Sequence, residues 1–170
     1  TGCAQRLRCP QLGRVDRAYA GGSRDGNRGK DRQVNQQHLG QLANAAPDHG
    51  RMVPWRFIEI QVSSRNALGE VFLQCLLDRD KTASTIQQQE ARDKASRGPL
   101  LLLAVANYQD ANEDISKQEK LISLGCAIQN ILLRAYAFGF GSGLSSGRAL
   151  KSERIRSLFH LTKDEEPICF

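Results

Sequence analysis

The chain has 170 residues, 40% of them hydrophobic and 25% charged, with a net charge of +6, a composition that suits one ordinary hydrophobic core in a single domain. Its longest apolar run, Pro99 to Ala106, falls well short of the roughly 18 residues of a membrane span, and Thr1 to Pro10 has no apolar core of a secretory leader. Five scattered cysteines, with no Cys-x-x-Cys pair and no histidine at ligand spacing, argue against a disulfide framework or a zinc site and fit a reducing cytoplasm.

The basic charge is concentrated at the start. Residues 1–33 hold eight basic residues against three acids, so the rest of the chain is nearly neutral. The same stretch is rich in glycine and poor in large apolar residues, with no period of 3.6 or 2. It reads as an arm, irregular or non-native in sequence, ahead of a folded domain at 34–170. Clustered arginines can neutralise phosphates, but Tyr19 is the arm's one aromatic residue, so a nucleic-acid partner is not expected.

From Gln36 a helix is predicted, with Leu39, Leu42, Ala43 and Ala46 on one stripe and His38 on the solvent side. Pro47 stops it. The loop Asp48-His49-Gly50-Arg51 follows, dense in hydrogen-bonding groups, and Pro54-Trp55 opens a strand through Val62 with Ile58, Ile60 and Val62 on one face. A polar loop held between a helix end and a strand start makes a natural floor for a planar polar ligand.

Ala67, Leu68, Val71, Phe72, Cys75 and Leu76 then recur at helical spacing, predicting an amphipathic helix packed on the sheet. Residues 78–97 are polar, a helix continuation or a second helix, with Glu90 and Asp93 as surface charge. Leu100 to Ala106 is apolar without a break, which suits a strand buried on both faces at the centre of the sheet. After a polar excursion over 110–116, Lys117 to Phe138 is the longest helical pattern. It carries two stripes, Leu121, Leu124, Ile128, Leu132 and Ala135, and Ile122, Cys126, Gln129, Leu133 and Tyr136. A helix apolar over so much of its circumference needs partners on two sides, the sheet and a second subunit, so a homodimer is expected.

Gly139 to Gly147 contains four glycines among nine residues, a loop whose backbone N–H groups can approach a ring or anion closely. It matches neither a Walker loop nor a dinucleotide fingerprint. A short helix capped by Ser152 is predicted next, with Ile155, Leu158 and Phe159 inward and His160 packed near it. Pro167 to Phe170 reads as the first half of a strand.

The run Ala46-Pro47-Asp48-His49-Gly50-Arg51-Met52-Val53-Pro54-Trp55-Arg56-Phe57 resembles the signature of the small nitroreductase family, in its compact branch with Pro-Asp-His at this turn. Gly139-Phe140-Gly141-Ser142-Gly143-Leu144-Ser145-Ser146-Gly147 is a second match, about ninety residues on, in the family's order and spacing. The resemblance is specific from Asn44 to Phe170. It implies an α+β, nitroreductase-like, FMN-dependent sheet flanked by helices, here lacking its C-terminal strand, in a homodimer with the flavin at the interface. It implies hydride transfer from NAD(P)H to a nitroaromatic, quinone or similar small-molecule electron acceptor. No catalytic side chain, metal or membrane contact is called for, because the flavin carries the chemistry.

By the same resemblance, His49 and Arg51 meet the flavin from the first loop, with Val53 where relatives commonly have Gln. Leu144, Ser145 and Ser146 stand where relatives carry Trp-Arg-Ser, so only Ser146 is kept in kind. Ala135, Ala137 and Gly139 match a helix end associated with NAD(P)H. Relatives grip the FMN phosphate with an Arg-Arg-Ser motif about 27 residues before the Pro-Asp-His turn. No such motif occurs here, and Ser23 and Arg24, with Arg28, are the candidates at that distance. Two other functions stay open at this point: a catalytically inactive or truncated nitroreductase-fold protein, and a nucleic-acid-binding module working through the arm.

Overall fold

The computed structural model of the chain describes residues 5–7, 41–109 and 114–170. At its centre is a four-stranded antiparallel sheet in chain order, β1 (Gln5–Leu7), β2 (Trp55–Glu59), β3 (Leu102–Asn107) and β4 (Glu165–Cys169). The unbroken apolar run becomes β3, interior to the sheet. Leu103, Ala104, Val105 and Ala106 are all buried, as a strand covered on both faces requires. Within the segment read as an arm, Gln5–Leu7 lies along β2 as the edge strand; residues 1–4 and 8–40, including His38, lie outside the described residues.

Alternation along β2 feeds two cores at once. Trp55 and Phe57 join Ala104 and Ala106 on one face, while Ile58 joins Leu103 and Val105 on the other, where Ile60 also packs. The strand is shorter than its sequence pattern. It ends at Glu59, and Val62–Ser64 wind into a 3-10 turn that leaves Val62 75% exposed instead of on the Ile58 face. Pairing of β4 with β3 shifts register between Ala104 and Val105, where Ala104 meets Cys169 and Val105 meets Pro167. The extra residue at this bulge, Ile168, turns toward the same core as Cys169.

Helix α1 (Arg65–Arg79) covers the Ile58 face with Leu68, Val71 and Phe72. Its buried Leu73 falls outside the predicted stripe because a second helix, α2 (Thr85–Asp93), packs on that side. Gly69, one turn before Leu73, makes the approach possible: a Cβ there would stand 3.0 Å from the Arg92 carbonyl oxygen. The start of α2 is fixed by a capping box in which Ser84 Oγ accepts from the Gln87 amide and Gln87 Oε1 accepts from the Ser84 amide. The Arg65 guanidinium donates to the Gly98 and Pro99 carbonyls and so ties the entry of β3 to the start of α1.

The opposite face, with Trp55 and Phe57, is covered by α3 (Lys117–Ala137) through Leu124 and Ala127, with Ala43 and Ala46 beside them. Residues 41–43 are helical and give way to a turn before Pro47, as the proline dictates. The last helix, α4 (Glu153–Leu158), starts at Ser152, whose Oγ accepts from the Ile155 amide, and buries Ile155, with Phe159 just beyond it. His160, expected to pack, is exposed in a left-handed turn with φ 49°. The result is a sheet between two helical layers, α3 on one side and α1 with α4 on the other.

Candidate functional site

The Asp48–Val53 loop is backbone under strain. Gly50, Arg51 and Val53 all take positive φ, at 74°, 53° and 48°. Glycine adopts that region freely; a β-branched residue does so only when its surroundings hold it there. Two contacts do the holding. Asp48 Oδ2 accepts from the Val53 amide at 2.6 Å, closing the loop on itself, and Gly50 lies so near Ile115 that a Cβ would meet Ile115 Cδ1 at 3.1 Å. Ile115 is itself buried. His49 and Arg51 therefore stand exposed on a backbone with little freedom.

The start of α3 supplies the other wall. Ser116 caps it with a capping box: its Oγ accepts from the Glu119 amide, and Glu119 Oε2 accepts from the Ser116 amide at 2.9 Å and from its hydroxyl at 3.0 Å. The second carboxylate oxygen, Oε1, lies 3.0 Å from His49 Nδ1. Hydrogen bonds from the Ser116 backbone, then from His49, then from the Ser116 hydroxyl hold the Glu119 carboxyl down at about 2. Nearby, Lys117 Nζ sits 4.9 Å from the centre of the Tyr108 ring. The Tyr108 phenol donates to Glu166, and burial first, then that carboxylate, pushes its pKa up to about 12.

The second loop begins where α3 ends. Phe138 and Gly139 close the helix with bonds to carbonyls of its last turn, Gly139 at φ 80°. Residues 141–147 then run exposed, outside any helix or strand. Around Gly141, Gly143 and Gly147 a Cβ would meet nothing within 4 Å, so the backbone there is open to an approaching ligand. Ser145 anchors the loop by exchanging backbone hydrogen bonds with Phe170. Leu144 is 60% exposed.

The predicted residues thus fall into two groups. His49 and Arg51 lie with Glu119 at the N-terminal end of α3, whereas Ala135, Ala137, Gly139, Leu144, Ser145 and Ser146 lie at or beyond its C-terminal end. A 21-residue helix keeps these ends about 30 Å apart. Within one protomer, α3 therefore lies between the first loop and the start of the second. Ser23 and Arg24, the candidates for a phosphate, lie outside the described residues. Between the two ends, the first predicted stripe packs inward through Leu124 and Ile128. The second carries large exposed side chains, Ile122 at 67%, Leu133 at 56% and Tyr136 at 80%, although Cys126 from that stripe packs against the core.

Glu119 and Phe170 were not singled out from sequence. Glu119 carries a legible local signal, since Ser116-x-x-Glu119 is a capping-box pattern; Phe170 carries none, because its pairing with Ser145 spans the fold. Among the described residues no His, Cys, Asp and Glu cluster could hold a metal ion, and no helix is long and apolar enough to cross a membrane.

Residues 30–170 match the model of the nitroreductase family. YdjA of Escherichia coli K12, which carries an NAD(P)H nitroreductase name, is 28% identical over 134 residues, 79% of this chain and 72% of its own. A similarly named Haemophilus influenzae protein is 26% identical over 132 residues, 78% of this chain and 71% of its own. Among solved structures, a nitroreductase-like family protein from Bacillus cereus superposes with a TM-score of 0.66 at 20% identity, covering 80% of this chain and 72% of that one. A variant of the nitroreductase NfnB superposes with a TM-score of 0.60 at 13% identity, covering 82% and 78%. The fold is shared and the family model spans most of the sequence: the chain belongs to the nitroreductase family.

Proposed function

We propose that the chain is an FMN-dependent oxidoreductase, working as a homodimer in a reducing cytoplasm, that takes hydride from NAD(P)H and passes it to a nitroaromatic, quinone or similar small-molecule acceptor. The observation that carries this reading is the placement of two open loops at opposite ends of α3 with an exposed apolar stripe between them. Two copies related by a two-fold axis across α3 would bury Ile122, Leu133 and Tyr136 against each other in antiparallel register. Antiparallel pairing sets the N-terminal end of one helix beside the C-terminal end of its partner. The His49 loop of one protomer then faces the Leu144–Ser146 loop of the other, and neither site is complete alone.

The residues present fit a flat polar ring. The first loop offers an imidazole and a guanidinium on a fixed backbone, and the second offers open glycine backbone beside Leu144. In this reading Arg51, a donor only, serves ring oxygens or phosphate. Ser145 and Ser146 add hydroxyl donors, and Leu144 covers an apolar face. Ala135, Ala137 and Gly139, half-buried or exposed at the helix end, leave room for NAD(P)H, while Ser23 and Arg24 hold the phosphate. Bound FMN would supply the two-electron redox chemistry, so the side chains need only bind, orient and exclude water. The FMN and NADPH dependence ascribed to NfnB and the names of the E. coli and H. influenzae relatives support the choice of cofactors.

The test is a titration of the purified full chain with FMN, followed by NADH or NADPH and a nitroaromatic or quinone. Saturable flavin binding and acceptor-dependent NAD(P)H oxidation are expected. A protein that binds no FMN, and in whose presence added FMN is not bleached by NADH or NADPH, would overturn the proposal.

A further inference from the structure

Glu119 divides its two oxygens between two tasks. Oε2 takes both Ser116 donors and completes the cap of α3; Oε1 is not needed for that cap and is spent on His49 Nδ1. The carboxylate is in turn anchored by two Ser116 donors, the backbone amide and the hydroxyl, at the start of a 21-residue helix. On the other side, His49 rides a loop whose backbone is fixed by the Asp48 to Val53 bond and by the Gly50 contact with Ile115. The two side chains are therefore in contact before any ligand arrives.

We propose that Glu119 is a positioning residue that fixes the tautomer of His49, keeping the ring proton on Nδ1 and presenting Nε2 to the bound ligand. A carboxylate only accepts hydrogen bonds, so the imidazole nitrogen that faces it carries the proton. In the neutral ring the remaining nitrogen is an acceptor. It is matched by a ligand N–H, and the pyrimidine edge of an oxidised isoalloxazine offers one, N3–H, between two carbonyl oxygens. The opposite tautomer would turn a donor on that N–H and leave both groups unpaired, a mismatch that costs affinity. His49 alone could take either form; the Ser116-Glu119 pair chooses. The identity of the ligand rests on the flavin reading proposed above, whereas the choice of tautomer does not.

Glu119→Gln separates positioning from folding. Glutamine at this position keeps a capping box, since Ser-x-x-Gln satisfies the same amides, but its free amide N–H₂ now faces Nδ1 as a donor. Long-range ¹H–¹⁵N correlation of the histidine rings in the ligand-free full chain should show His49 protonated at Nδ1 in the wild type and at Nε2 in Glu119→Gln, with helix content unchanged by circular dichroism. FMN affinity should fall about tenfold in Glu119→Gln, and adding the variant to a His49→Ala background should cost little more. A wild-type His49 protonated at Nε2, or a tautomer indifferent to Glu119→Gln, would overturn the proposal. If the wild type shows the Nδ1 tautomer and binds no FMN, the flavin reading fails while the positioning role of Glu119 stands.

Discussion

Ser145 and Phe170 exchange two backbone hydrogen bonds, each 2.8 Å, so the glycine loop is tied to the residue that follows β4. The Phe170 ring is held in turn, edge-on to Phe72 at 5.5 Å and tilted against Phe159 at 6.3 Å between ring centres. An aromatic cluster under the sheet therefore sets the position of a loop that is otherwise exposed.

Phe170→Ala should unpin that loop. Losing a half-buried aromatic ring is expected to destabilise the fold by about 2 kcal/mol, read by chemical denaturation. The Ser145 amide should exchange with solvent faster in the variant while amides of β3 keep their protection under native conditions.

Arg56 on β2 and Glu165 on β4 form a two-pronged ion pair across β3, with side chains only 11% and 7% exposed. Glu165 also accepts from the Thr162 amide at 2.9 Å. Glu165→Ala should cost roughly 3–5 kcal/mol, because it strands a guanidinium away from water. The double variant Arg56→Met, Glu165→Leu should be distinctly milder, since it removes the charge along with its partner. Urea unfolding of the three proteins gives the comparison.

Acid should erode what Glu119 contributes. Its carboxyl titrates at about 2 in the folded chain against an ordinary 4.5, so the ionised form favours the native state. That contribution is complete above about pH 4.5 and is lost as pH falls toward 2. The melting temperatures of wild type and Glu119→Gln should accordingly differ at neutral pH and converge across that window.

The exposed side of α3 should behave as an interface. Leu133→Asp or Tyr136→Glu places a charge where an apolar stripe would be covered, which should shift sedimentation from dimer to monomer and weaken FMN binding together. In the monomer the secondary structure by circular dichroism should be retained, because neither side chain belongs to either core.

Sequence alone determined the elements whose cause is local. Pro47 ends the helix that precedes it, Ser152 caps the one that follows, and the unbroken apolar run before Asn107 suits a strand covered on both faces, so these were legible from one dimension. The two loops were legible as well, since proline restricts the backbone and glycine frees it by their own covalent structure. Tertiary structure decided what depends on distant partners. Val62 left the strand face for a turn, Leu73 was buried because the helix that follows folds back on its side, and a bulge at Ile168 set which core Cys169 meets. It alone joined His49 to Glu119, seventy residues on, and Ser145 to Phe170. It also put the two loops at opposite ends of one helix, because a contact between remote residues is fixed by how layers pack and leaves no mark on the pattern of either segment.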